Sequence, residues 1–279
     1  MLISIITINY NDKVGLERTI KSVRSQTSQS YEHIIIDGAS TDGSEELIKK
    51  YKDNFSYWVS EPDKGIYNAM NKGIKASKGS YLLFLNSGDE LRESTVLEAV
   101  ESELNGGKDV YYGNLVFITD TVEQLEIYPD QLTFSFFYES SLPHPAAFIK
   151  RDLFDKVFYY NEDYKIVSDW EFFMVAICKE KASYKHIEKT ISNFYADGIS
   201  NDPKNKEKLN KERENCLTNH FAPFIADMKQ LKSANKILKM NRFKMLTELE
   251  SNKAARNINS LVLRILLKFV KGKKVEDLN

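Results

Sequence analysis

Cysteine is nearly absent. Cys178 and Cys216 are the only two in 279 residues, and they form no paired motif. A reducing compartment is expected, and a zinc or redox site is not. The four histidines, His33, His144, His186 and His220, show no metal-ligand spacing. Charge of one sign is lacking as well: 39 basic against 40 acidic side chains leave a net charge of -1, so no nucleic-acid partner is expected. No run reaches the roughly 20 predominantly apolar residues that a transmembrane helix needs. The longest, Ile258 to Val270, is interrupted by Asn259, Arg264 and Lys268. Leu2 to Ile8 opens directly on a strand pattern without a basic n-region or cleavage site, so no signal peptide is read there. No glycine-rich loop follows that strand: Asn9-Tyr10-Asn11-Asp12 stands in its place, and the first glycine is Gly15. A nucleotidyltransferase holding a triphosphate in such a loop is therefore disfavoured.

With 42% hydrophobic residues the chain reads as an ordinary folded protein. Its most informative features are two strands that run into acidic and small residues. Ile34-Ile35-Ile36-Asp37-Gly38 leads into Ala39-Ser40-Thr41-Asp42-Gly43-Ser44, and Tyr81-Leu82-Leu83-Phe84-Leu85 leads into Asn86-Ser87-Gly88-Asp89. In an open α/β sheet, ligands sit beyond the carboxyl ends of the strands. Strands at 2–9, 33–37, 57–59 and 80–85 alternate with helical spacing at Leu16, Ile20 and Val23, at Leu47, Ile48 and Tyr51, and at Met70 and Ile74. That alternation predicts a parallel, doubly wound core. After residue 105 the pattern changes: 110–114 and 115–118 are strand-like, 130–150 is aromatic and loop-rich, 168–176 reads as a helix and 184–195 as a strand. From about 203 the chain reads as helices.

Four places offer chemistry, each with a plainer alternative. Asp37 can accept a hydrogen bond from the N3–H of uracil or thymine, or it is a turn residue. Asp89, with Asn86, can hold Mg²⁺ or Mn²⁺ on a diphosphate, or it caps the helix at 93–104. Lys64 can pair with phosphate, while Asn68 and Asn71, three residues apart on one helix face, can bond sugar hydroxyls; the alternative is a solvated loop and an ordinary amphipathic helix. Asp169 can act as a general base beside Trp170 and Glu171, or it is an N-cap. His144, held between two prolines, lines an acceptor pocket or packs in a turn. His186, inside a strand, reads as structural.

Taken in order, these segments resemble the family-2 glycosyltransferases, inverting nucleotide-sugar enzymes with the A-type glycosyltransferase fold. The matching stretches are 4–11, 34–44, Ser60-Glu61-Pro62-Asp63-Lys64-Gly65-Ile66-Tyr67-Asn68-Ala69-Met70-Asn71-Lys72-Gly73, and 84–89. The resemblance implies an α/β fold: one Rossmann-like domain with a mixed central sheet over 1–202, split into a nucleotide-binding half to 105 and an acceptor-side half, with a helical extension over 203–279. It implies that Thr7, Tyr10 and Asp37 frame the uridine, that Asp89 binds the divalent ion, that Asp169 is the base, and that 194–201 is a flexible segment near the diphosphate. Two departures stand out. Asn86 and Gly88 occupy positions where the metal motif often has aspartate, and Asn68 stands where many relatives have aspartate.

The implied reaction moves a sugar from a UDP-sugar to a hydroxyl of a saccharide on a lipid carrier, in bacterial cell-envelope, capsule or O-antigen synthesis, with Mn²⁺ or Mg²⁺ as cofactor. Residues 256–274 are apolar on one side and basic on the other. They suit peripheral contact with the inner face of the cytoplasmic membrane, or docking on the domain or on a second copy. A non-catalytic sugar-nucleotide-binding or scaffolding protein of the same fold is the alternative.

Overall fold

Strand and helix alternate through the first half as the hydrophobic pattern requires. The order is β1 (Ile3–Asn9), α1 (Lys13–Arg24), β2 (Tyr31–Asp37), α2 (Ser44–Tyr51), β3 (Tyr57–Ser60), α3 (Ile66–Ala76) and β4 (Tyr81–Phe84). The coordinates are a computed structural model that describes residues 3–119, 121–195, 198 and 201–271. β1 is buried at every position, as an apolar, β-branched strand covered on both faces should be. β2 and β4 flank β1 and β3 flanks β2, all in parallel. Their register sets Asn9 beside Asp37 and Asp37 beside Ser60, so the carboxyl ends share one edge.

The second half adds β5 (Glu90–Leu91), α4 (Val96–Leu104), β6 (Val110–Ile118), β7 (Glu123–Glu126), α5 (Phe134–Glu139), β8 (Ala147–Lys150), α6 (Asp152–Lys156), α7 (Ser168–Cys178) and β9 (Tyr184–Tyr195). The nine-stranded sheet runs β3-β2-β1-β4-β8-β6-β9-β5, with β7 against β6. β8 is antiparallel to both β4 and β6, so the sheet is mixed. The two strand-like segments at 110–118 form one strand. Its register with β9 shifts around Gly113, where an added Cβ would lie 2.6 Å from the Lys189 carbonyl oxygen.

The apolar residues of α1 face the sheet, and Asp12 caps that helix by accepting from the Gly15 N–H at 2.9 Å. Ile3, Ile5, Leu83, Leu97, Phe148 and Ile191 belong to one core cluster; Leu16, Ile20, Ile35, Leu47 and Ile48 form another. α3 packs so tightly on β1 that a Cβ at Gly73 would come within 2.4 Å of Ile6 Cγ2.

Residues 1–220 form one compact unit and residues 221–279 a second. The expected boundary at 202/203 falls before that division. The reason lies in α8 (Lys206–Leu238), whose Phe221 is non-helical (φ -138°, ψ 25°) two residues ahead of Pro223. Pro223 has no N–H to give and its ring crowds the carbonyl four residues back. Before the break, Glu212 is buried and accepts from the backbone N–H groups of Lys165 and Ile166, each at 3.0 Å, so this stretch belongs to the first unit. In the second unit α9 (Asn241–Ser251) packs on α10 (Lys253–Lys271). Ile258, Leu261, Ile265, Leu266 and Phe269 of α10 are exposed. Lys273 and Lys274, counted on its basic side, lie outside the described residues. No helix among the described residues is long and apolar enough to cross a membrane.

Candidate active site

A cavity of about 1280 Å³ opens at the carboxyl edge of the sheet. Tyr10, Gly38, Ala39, Asn86 and Asp89 line it from the first half, and His144, Lys165, Asp169, Trp170 and Arg213 from the second. The place follows from topology, because parallel strands deliver their following loops to one edge. Ala39 holds a left-handed backbone there (φ 59°), a conformation that costs a non-glycine residue energy and concentrates at ligand sites.

The loop carrying Asp89 is pinned from two sides. Ser87 N–H donates to the Ile8 carbonyl at 3.0 Å. Thr19 Oγ1 donates to the Asp89 carbonyl at 2.6 Å and accepts from Gly88 N–H at 3.1 Å. Arg18 Nε donates to the Gly88 carbonyl at 3.0 Å. Gly88 itself takes φ 99°, which favours glycine. The Asp89 side chain is turned into the cavity wall and does not cap α4, whose N-cap is Thr95.

Asp169 sits in the first turn of α7, but the N-cap there is Val167 and no side chain caps the helix. The Asp169 carboxylate instead accepts from Tyr67 Oη at 2.8 Å. Burial pushes the Tyr67 phenol well above its ordinary range, reinforced by the Asp169 charge, so it stays a donor. Burial alone would raise the Asp169 carboxyl; the neighbouring His144 and the Tyr67 hydrogen bond outweigh it and hold the group below the ordinary carboxylate value. Asp169 is therefore kept ionised.

His144 joins the two carboxylates. Its Nε2 lies 3.6 Å from Asp89 Oδ2 and its Nδ1 lies 3.6 Å from Asp169 Oδ2. Burial opposes the imidazolium, yet the contacts with Asp169 and Asp89 win and hold the ring's pKa up at about 9. Asn86 Nδ2 lies 3.0 Å from Nε2 and Asn86 Oδ1 is buried without a hydrogen-bond partner. When Nε2 carries a proton it is itself a donor, so the amide turns its oxygen toward it and that oxygen gains a partner.

Several expected site residues are elsewhere. Thr7 is fully buried, with Oγ1 donating to the Leu85 carbonyl at 2.8 Å and 3.0 Å from His33 Nε2, and it does not line the cavity. Asp37 is also fully buried beneath the cavity floor, its oxygens taken by Asn9 Nδ2, Ser40 Oγ and Ser60 Oγ, each at 2.6 Å, and by Ser40 N–H at 3.0 Å. Lys64 is exposed away from the cavity wall, and its carbonyl accepts from Lys165 Nζ at 3.1 Å. Asn68 and Asn71 do share a helix face, but that face clamps Glu162: Asn68 Nδ2 to Oε2 at 2.8 Å, Asn71 Nδ2 to Oε1 at 2.9 Å. These two hydrogen bonds, Asn71's first, hold the Glu162 carboxyl below its ordinary value. Trp170 borders the cavity, yet its Nε1 donates to the Phe137 carbonyl at 2.7 Å and Arg213 lies over its ring at 4.7 Å, leaving that face closed to a sugar. Glu171 is outside the cavity. Two residues on from Asp169, it points around the helix by roughly 200°, toward His220. Of 194–201, Phe194, Tyr195 and Gly198 line the cavity, and 196, 197, 199 and 200 lie outside the described residues.

Sequence reasoning missed Tyr67, Thr19, Arg18, Lys165 and Arg213. Tyr67 is 102 residues from its partner Asp169, and no local spacing announces such a pair.

A family model described as glycosyl transferase family 2 matches residues 4–158. An uncharacterized glycosyltransferase of Mycobacterium tuberculosis is 36% identical over 181 residues, which cover 62% of this chain and 68% of that protein. Residues 1–349 of TarS from S. aureus, solved in complex with UDP-GlcNAc, superpose with a TM-score of 0.61 at 17% identity, covering 79% of this chain and 68% of that one. A mannosyltransferase from Pyrobaculum calidifontis, solved with GDP-Man and Mn²⁺, gives a TM-score of 0.54 at 13% identity, over 93% and 86% of the two chains. At such identities the solved structures speak for the fold alone, an A-type glycosyltransferase fold followed here by helices. With the family model spanning more than half of its length, this chain belongs to glycosyl transferase family 2 and is a glycosyltransferase.

Proposed function

We propose that the chain moves a sugar from a UDP-sugar to a hydroxyl of a saccharide acceptor, with inversion at the anomeric carbon. One observation carries this reading. Asp89 and Asp169, eighty residues apart in the chain, share one cavity and are linked through His144 at 3.6 Å on each side. On this reading Asp89 serves the leaving diphosphate and Asp169 the acceptor hydroxyl.

Asp169 takes the proton of the acceptor hydroxyl. The freed oxygen forms its bond to the anomeric carbon as the bond to the diphosphate breaks on the opposite face, and the nucleoside diphosphate leaves with the electron pair. Tyr67 fixes the orientation of the carboxylate, and His144 keeps it ionised between turnovers. Lys165, Lys208 and Arg213 line the cavity and supply positive charge toward phosphate. Because Asp37 is saturated, Tyr10 and the Gly38–Ala39 backbone are the groups that meet the base directly, with Asp37 holding that backbone through Ser40.

A divalent cation fits the residues at Asp89. The carboxylate and the Asn86 amide oxygen are hard oxygen donors; a cation binding there would take the place of the proton on His144 Nε2, which leaves that oxygen free for the ion. When bound, a divalent ion supplies Lewis-acid stabilisation of the charge developing on the diphosphate. Mn²⁺ beside GDP-Man in the Pyrobaculum enzyme supports this. A lipid-carrier-linked acceptor in bacterial envelope polysaccharide synthesis completes the reading, with α10 resting on the inner face of the cytoplasmic membrane through its exposed apolar side.

The test is UDP release from a panel of UDP-sugars with Mn²⁺ or Mg²⁺, beside Asp89→Ala. Metal-dependent release from one donor, lost in the variant, is expected. UDP binding without release from any donor, in the presence of saccharide acceptors, would favour a sugar-nucleotide-binding protein instead.

A further inference from the structure

The cysteines form no paired motif and the histidines show no metal-ligand spacing among themselves, yet folding gathers three ligand types behind the cavity. Cys216 and His220 lie four residues apart on α8, hence on one helix face. Glu171 of α7 faces them. One ligand atom from each of the three lies within 4.8 Å of the others. Glu171 is 4% exposed; its Oε1 pairs with His220 Nε2 at 2.9 Å, and its Oε2 is buried with no hydrogen-bond partner. Cys216 is a free thiol with no exposure at all. A Glu171–His220 ion pair alone would leave a buried carboxylate oxygen unsatisfied, which is costly.

We infer that Glu171, Cys216 and His220 form a zinc site, distinct from the divalent-ion position at Asp89. The donor set decides the ion. One thiolate, one imidazole and one carboxylate suit Zn²⁺, whereas Mg²⁺ and Mn²⁺ favour all-oxygen surroundings. Three protein ligands leave the fourth tetrahedral position to water. On binding, the Cys216 S–H proton and the proton shared between His220 Nε2 and Glu171 Oε1 leave to solvent, and one bond from each residue to the ion replaces that hydrogen bond. Burial pushes the Cys216 thiol up to about 12, so without an ion it stays protonated and unreactive.

The site's place gives it a task. Glu171 is two residues beyond Asp169 on α7. The same face of α8 carries Arg213 over Trp170, and Leu209 lines the cavity. Zinc would staple the helix that walls the cavity to the helix that carries the proposed base.

The experiment uses the full chain and the metal alone. Purified protein is stripped with chelator, loaded with Zn²⁺ or Co²⁺ and dialysed. One zinc per chain is expected, with a raised Tm. Co²⁺ should give a tetrahedral spectrum with a thiolate-to-cobalt charge-transfer band. Cys216→Ser should abolish that band, Glu171→Gln should weaken zinc retention at least tenfold, and Asp89→Ala should change neither. The wild-type cobalt spectrum stands by itself if a variant fails to fold. No retained zinc, a cobalt spectrum without the thiolate band, or zinc lost in Asp89→Ala but kept in Cys216→Ser would overturn the site.

Discussion

Mild acid should destabilise the first unit through one side chain, His33. It is fully buried in β2, with Nε2 3.0 Å from Thr7 Oγ1, Nδ1 without a partner, and the Phe55 ring edge-on at 5.4 Å. Burial lowers its pKa from 6.5 to about 3. Below pH 6.5 the unfolded chain takes up a proton that the folded chain refuses, so the contribution is complete above 6.5 and is lost as pH falls toward 3. At about 1.4 kcal/mol per pH unit, lowering pH from 7 to 5 costs about 2 kcal/mol. His144 works in another window: its raised pKa lends stability below 6.5 that fades as pH rises through about 9. The assay is urea unfolding at pH 7 and pH 5, followed by tryptophan fluorescence. Both tryptophans, Trp58 and Trp170, lie in the first unit, so the signal reports that unit. His33→Gln cannot titrate. Wild type should lose about 2 kcal/mol more than the variant between the two pH values. Equal losses, within about 0.5 kcal/mol, would refute the argument.

Other outcomes are equally definite. Asp169→Asn keeps the shape and the Tyr67 contact but removes the base; turnover with acceptor should fall by roughly 10²–10⁴ with donor KM little changed, and unchanged kcat would remove Asp169 from that role. Gly73→Ala forces a methyl against Ile6 and should cost about 1–3 kcal/mol by the same unfolding assay; neutral stability would mean that α3 has room to move off β1. Truncation before residue 256 should cut sedimentation with anionic vesicles by about tenfold or more at low salt; unchanged binding would exclude α10 as the anchor.

The strands and helices of the first ninety residues were legible because their patterns are local: β-branched runs for strands buried on both faces, and three-to-four spacing for helices over them. The ends of β2 and β4 pointed to a ligand edge for the same reason, since parallel topology fixes where carboxyl ends go. The mixed sheet was implied only by the family resemblance; the loss of alternation after residue 105 marked where the parallel core ends. What individual side chains do at that edge was less legible. Asp37 and Thr7 have the right residue types in the right motif, yet a strand's last carboxylate can be consumed by neighbours such as Ser40 and Ser60, whose reach depends on loop geometry. Asn68 and Asn71 were placed correctly on one face, but what that face meets, Glu162, comes from a segment ninety residues away.

The sequence by itself determined the family, the parallel core and the carboxylates available for chemistry, because those rest on periodicity and short motifs. Only the tertiary structure decided which carboxylates meet. Asp89, His144 and Asp169 converge because β8 returns antiparallel beside β4 and delivers the Pro143–Pro145 turn between the loops before α4 and α7. Glu171 turns away because a helix advances by about 100° per residue. Cys216 and His220 meet it because the first part of α8, ahead of the break at Phe221, packs on the first unit. Contacts of that kind depend on where whole elements dock, and docking is set by the summed burial of many distant residues rather than by any local pattern.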